Sequence, residues 1–143
     1  MPTLTFASKM NAPKEKVWEA LWNDASYRKW TAAFMDGSYA KSDWKEGSKI
    51  LFLTPKGHGM YGFIQKKIPN VQMTFKHIGE IKNGVEEQKD WSNATESYYL
   101  NEINGTTELT VKLNLEATPG FEAYFNSTFP KALEILKKIA EQH

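Results

Sequence analysis

The stretch Asn11-Ala12-Pro13-Lys14-Glu15-Lys16-Val17-Trp18-Glu19-Ala20-Leu21-Trp22, followed by Asp24, Tyr27 and Trp30, decides how the rest of the chain is read. Pro13 has a fixed φ suited to the first position of a helix, where its missing N–H would be unpaired in any case. Val17 and Leu21 then fall one turn apart on one face, and Trp18 and Trp22 do the same. Asp24 is placed to cap a second short helix that ends on an aromatic anchor, Trp30.

Outward from these helices the pattern changes to strands. Thr3 to Lys9 alternates, with Leu4 and Phe6 on one face, and reads as a first strand. Turn signals follow at Asp36-Gly37, Glu46-Gly47, Pro55-Lys56-Gly57, Pro69-Asn70, Asn83-Gly84 and Asn104-Gly105. Short aromatic and aliphatic runs between such turns predict an antiparallel meander rather than βαβ units. The clearest strand is 106–117, where Leu109, Val111, Leu113, Leu115 and Ala117 alternate with polar residues, giving one buried and one wet face.

Asn104-Gly105 fits a two-residue type I′ turn, which needs φ > 0 at both positions. That turn fixes a register: Ile103 pairs with Thr106, so Leu100 lies opposite Leu109, Tyr98 opposite Val111 and Glu96 opposite Leu113. Tyr98 and Leu100 are therefore expected inside, and so is Glu96. A tight turn at Pro69-Asn70 likewise sets Ile64 opposite Phe75 and Gly62 opposite His77. Met73, Phe75 and His77 then share a face, with Phe63 and Lys76 on the other.

From Pro119 to His143, Phe121, Phe125, Phe129, Leu133, Leu136 and Ile139 or Ala140 recur at helical spacing with a broad apolar face. A helix over 119–142 would measure about 36 Å, enough to lie along a whole sheet. Pro130 removes the N–H hydrogen bond to the Asn126 carbonyl and costs about 3 kcal/mol in a regular helix, so a kink near 126–130 or two separate helices are expected.

Together these features resemble the START-like, or SRPBCC, helix-grip superfamily, and within it the subfamily similar to the activator of the heat-shock-protein-90 ATPase. Ala12-Pro13 with Val17-Trp18, Leu21 and Trp30, then Gly62-Phe63-Ile64 before Pro69-Asn70 and Phe75, carry the likeness. Gly105-Thr106 with Leu109, Val111 and Leu113, and Gly120-Phe121, complete it over roughly residues 3 to 141. The resemblance implies an α+β helix-grip fold: a curved antiparallel seven-stranded sheet wrapped around a long C-terminal helix, with two short helices after strand 1. It also implies a cavity between sheet and helix, where many members carry lipids, sterols, hormones or other apolar small molecules. Others are polyketide cyclases, and one branch binds a chaperone. Three positions depart from the pattern: Gly47-Ser48 where a double glycine is common, Phe75 where tryptophan is frequent, and Glu96 where the residue is usually apolar.

Composition narrows the function. A length of 143 residues fits one domain, 1–143, with a real core. The net charge of +1 comes from dispersed charges, so no stripe exists to neutralise many phosphates, and nucleic acid is not an expected partner. Cysteine is absent, which excludes disulfides, thiolate nucleophiles and sulfur metal sites. The three histidines, His58, His77 and His143, share no ligand spacing, so no metal or cofactor is expected. No Gly-x-Ser-x-Gly elbow or phosphate-cradling glycine loop occurs, and no catalytic residue is assigned. Nothing reads as a signal peptide or a membrane span, and a cytoplasmic location is the expectation. The run Glu86-Glu87-Gln88-Lys89-Asp90 reads as a solvated loop. Tyr61, Phe63, Ile78 and Tyr99 should project from the convex face as an exposed aromatic cluster.

The expected site joins Phe52, Ile64, Met73, Phe75 and Tyr98 of the sheet to Phe121, Phe125 and Phe129 of the helix, with Trp30 and Phe34 near an opening. His77 and Glu96 form a polar pair among them. A buried carboxylate needs a partner, and His77 or the Tyr98 neighbourhood can supply one. The expected function is binding of an apolar small molecule or lipid-like ligand without chemistry. A chaperone-binding module and a cyclase- or hydrolase-type enzyme acting through the same pair are the alternatives.

Overall fold

The computed structural model describes residues 3–91, 94–114 and 121–142, without the Phe121 side chain. Its elements run β1 (Thr3–Met10), α1 (Lys14–Trp22), α2 (Asp24–Thr31), β2 (Tyr39–Ser42), β3 (Lys49–Leu53), β4 (Gly59–Ile68), β5 (Gln72–Lys82), β6 (Val85–Gln88), β7 (Thr95–Ile103), β8 (Thr106–Asn114) and α3 (Phe121–Glu141). The strands form one open antiparallel sheet in the order β1-β8-β7-β5-β4-β3-β2, with β6 paired to the far half of β5. α3 packs on α1, α2 and β1.

The described sheet therefore has eight strands, not seven. The extra one is β6, where the charged run was expected to be a loop. Asn83 and Gly84 take φ 52° and 78°, closing a hairpin that pairs Lys82 with Val85. The turn geometry zips the backbone together although all four β6 residues are exposed. The end of the strand expected over 106–117 lies outside the described residues.

The registers stand as read. Asn104 and Gly105 have φ 53° and 81°, and Glu96 faces Leu113, Tyr98 faces Val111 and Leu100 faces Leu109. In β4–β5, Ile64 pairs with Phe75 and Gly62 with His77, but by a different route. The loop holds three residues, since Ile68 pairs with Gln72, and a bulge between Ile64 and Lys66 restores the frame. A second bulge lies between Tyr61 and Gly62, where backbone crowds backbone: a Cβ on Gly62 would sit 1.8 Å from the Lys76 carbonyl oxygen. Only glycine fits there.

The helices differ from expectation at their ends. Pro13 precedes α1 in extended conformation, with ψ 159°. The free Lys14 N–H is instead capped from the sheet, by Glu102 Oε1 at 2.8 Å. The cap of α2 is Asn23, which accepts from the Ala25 N–H at 3.1 Å, while Asp24 is the first helical residue and pairs with Arg28 at 2.9 Å. Asn23 rather than Asp24 takes the cap because α1 ends directly on it in extended geometry. α3 continues through Pro130 as a single helix, so the division expected there does not occur. Pro130 is exposed, whereas Phe129, Ala132, Leu133, Leu136 and Ala140 are buried. Each large anchor contributes about 1.5–3 kcal/mol, which outweighs one lost bond.

The convex aromatic cluster is also altered. Tyr61, Phe63, Ile78 and Tyr99 are each half-buried. Lysine heads lie over two of the rings, Lys49 at 5.4 Å from Tyr61 and Lys112 at 5.7 Å from Tyr99. These ammonium groups cover part of two rings that alternation alone would have left bare.

Two substitutions test this account by urea unfolding. Gly62→Ala should destabilise the fold by about 3 kcal/mol, because backbone must move to admit the methyl group. Glu102→Ala should cost about 1 kcal/mol, the loss expected for a removed helix cap.

Candidate functional site

The helix-facing side of the sheet is filled at its centre by two indoles. Trp22, the last residue of α1, reaches Phe75 and Tyr98 with ring centroids 5.3 and 4.9 Å apart. Trp44, in the loop between β2 and β3, packs on Trp22 at 5.8 Å. What remains is a cavity of about 250 Å³, open on one side. Its walls include Tyr27 and Trp30 of α2, Phe52 of β3, Tyr98 of β7 and Phe125 and Phe129 of α3. Met35 and Tyr124, both well exposed, mark the mouth. The Tyr124 hydroxyl donates to the Phe34 carbonyl at 2.9 Å, tying the start of α3 to the segment after α2. Phe129 anchors the junction, stacked on Phe6 and edge-on to Phe34, each 4.8 Å away.

Of the side chains nominated from sequence, Trp30, Phe34, Phe52, Glu96, Tyr98, Phe125 and Phe129 line this cavity. Ile64, Met73, Phe75 and His77 do not: they are fully buried in the layer behind it. Face assignment placed them on the correct side of the sheet but took no account of Trp22 and Trp44, which cover Phe75. The Phe121 side chain lies outside the described residues. Sequence reading missed Tyr27, Met35, Tyr39, Leu53, Met60 and Tyr124, among others. Of these, Tyr27 carried a signal, one turn before Thr31 and beside Trp30 on the second helix.

Glu96 is the chemically distinct member of the site. Strand periodicity puts it on the same face as Tyr98, whose hydroxyl donates to Glu96 Oε2. The other oxygen, Oε1, lies 3.1 Å from His77 Nε2. His77 is only 1% exposed and Glu96 19%, so the imidazole supports the carboxylate from behind while the carboxylate borders the cavity. With a carboxylate accepting, Nε2 carries the hydrogen of that contact. His77 Nδ1 and Trp22 Nε1 are buried without a hydrogen-bond partner among the described residues. A carboxylate has about four lone-pair directions, so two donors leave it able to accept more.

Burial, first, and the Glu96 charge, second, push the Tyr27 and Tyr98 phenols well above their ordinary value of 10.0. The folded state therefore binds those protons more tightly than the unfolded chain, whose phenols ionise near pH ~10. The resulting stabilisation is complete below that pH and is lost as pH rises toward the folded-state values. In a spectrophotometric alkaline titration, Tyr27 and Tyr98 should stay protonated after the less buried tyrosines have ionised, and titrate only with cooperative unfolding. Ionisation of all six tyrosines in a single step near pH ~10 without loss of structure would contradict this burial.

Comparison with known proteins fits the geometry. The chain is similar in structure to the Aha1 dimer from Colwellia psychrerythraea, at 23% identity over 99% of this chain and 97% of that one, with a TM-score of 0.75. Protein MLL2253 from Mesorhizobium loti aligns at 15% identity over 96% of both chains, with a TM-score of 0.73. Protein CV1439 from Chromobacterium violaceum aligns at 16% over the whole of both, with a TM-score of 0.69. Identities this low speak for the shared helix-grip fold alone. A comparison with curated proteins gives no match. The family model described as activator of Hsp90 ATPase homolog 1-like protein matches residues 11–141, from the turn before α1 to the last residue of α3, and the chain belongs to that family.

Proposed function

We propose that this protein binds a small molecule with an apolar body in the cavity bounded by α2, the β3–β4 hairpin and α3. The observation that carries the reading is the cavity itself: about 250 Å³, open at one side and walled mostly by aromatic and aliphatic side chains. Packed interiors rarely leave such space, and ligand sites are lined in this way. The volume is somewhat below the ~300 Å³ at which drug-sized sites begin, so the guest is small or extends through the mouth past Met35 and Tyr124. The resemblance to carriers of apolar molecules in the same part of the fold supports the reading.

A second reading is favoured by the family description, which names activators of a chaperone ATPase. On that reading the chain is a chaperone-binding module, and co-precipitation with an Hsp90-type chaperone and stimulation of its ATPase separate the two.

Chemical-shift mapping with a library of small apolar compounds tests the first reading. The expected perturbations fall on Tyr27, Phe52 and Phe125, and perturbations confined to Tyr61, Phe63 and Tyr99 on the opposite face would refute it. Leu53→Trp, which projects bulk from a cavity wall, should abolish binding of any hit, whereas Ile103→Trp at the exposed hairpin should not change it.

A further inference from the structure

We propose that the cavity is selective for an organic cation: an amine or quaternary ammonium group on an apolar body, seated against Glu96 and the surrounding ring faces. This rests on the cavity reading above and names the chemistry of its guest. Glu96 is the one charged side chain lining the cavity among the described residues. None of the 18 lysines and arginines of the chain is a lining residue. Among the described residues, the charge that lines the cavity is therefore negative, with no lysine or arginine lining it.

The rings around Glu96 have the same polarity. Tyr98 is hydrogen-bonded to it, and Phe52 packs 5.2 Å from the His77 imidazole that holds its other oxygen. Aromatic faces carry negative quadrupolar potential and attract ammonium groups, most strongly where water is excluded. Burial keeps the neighbouring Tyr27 and Tyr98 phenols neutral, so they add ring faces and not further charge. One lining ring already accepts a cation from outside: the Arg28 guanidinium lies 4.9 Å over Tyr39, while paired to Asp24. A guest with a carboxylate or phosphate head has no such welcome. It would place a second negative charge beside Glu96, and the two donors that face Glu96, Tyr98 and His77, are already engaged.

Three probes that share one apolar body but differ in head charge test the inference by calorimetry on the intact protein: phenylbutylamine, phenylbutanol and phenylbutyrate. The amine should bind tightest, by roughly tenfold over the alcohol, with the carboxylate weakest. Added salt should weaken the amine and leave the alcohol unmoved. Glu96→Gln should collapse the amine-to-alcohol ratio toward one. If that variant does not fold, the ranking and salt response of the unsubstituted protein decide the matter alone. Equal affinities in the cavity, or a preference for the carboxylate, would overturn cation selectivity while leaving the binding reading intact. Failure of all three to perturb cavity residues would overturn both.

Discussion

The direction in which Glu96 faces is set by a two-residue turn several residues away. Asn104 and Gly105 both hold φ > 0, which closes β7 on β8 with Ile103 against Thr106. Side chains alternate along a strand, so a slip of one residue would send Glu96 to solvent and turn Leu100 and Tyr98 out of the core. The apolar set Leu109, Val111 and Leu113 on β8 locks the same register from the other side, since all three are buried. The carboxylate is thus carried inward by residues that gain from burial. Its desolvation is offset locally by one phenol and one imidazole, both reaching it from the same sheet face. The turn, the alternation and the pair of donors form a single device.

Where the cavity sits depends on a different set of residues. An open sheet with a helix packed toward one edge leaves room along its inner face, and the indoles of Trp22 and Trp44 occupy the middle of it. Trp44 does this at some expense: it holds φ 63°, a left-handed conformation that costs a bulky residue about 1 kcal/mol. Two contacts secure it, its N–H donating to Ser42 Oγ at 3.0 Å and its carbonyl accepting from Lys67 Nζ at 2.7 Å. The ring gained by this strain contacts Trp22, Tyr27 and Phe75. The remaining void is pushed toward α2 and the first turns of α3, beside Glu96.

The order of elements, the inward face of β8 and the Glu96–His77–Tyr98 cluster were legible in the sequence because each follows from short-range rules: alternation, helical spacing and turn chemistry. β6 was not, since its only signal was the Asn83-Gly84 turn and its own residues bury nothing. The second hairpin was legible for an incomplete reason. A three-residue loop and a bulge cancel, so that Ile64 meets Phe75 just as a two-residue loop would have it. Cavity walls were read only in part. Which inward side chains touch space and which touch one another depends on where Trp22 and the strained loop residue Trp44 lay their rings, and neither is written in local periodicity. Ile64, Met73 and Phe75 share a face with Tyr98, yet they serve as core behind it.

Family membership explains the scaffold and leaves the chemistry of the site to individual side chains, because one fold hosts many functions. Here an inward-facing strand position that lines the cavity holds a carboxylate, and on the proposed reading the consequence extends to uncharged guests. A hydrocarbon that fills the cavity gains about 25 cal/mol for each Å² of apolar surface it removes from water. It also strips water from the remaining lone pairs of Glu96, and leaving a charged acceptor unmet costs about 1–3 kcal/mol or more. A guest with a hydrogen-bond donor at the right end avoids that loss and keeps the apolar gain. On the proposed reading the walls favour almost any small apolar body, whereas Glu96 decides which end of it must be polar and of which sign.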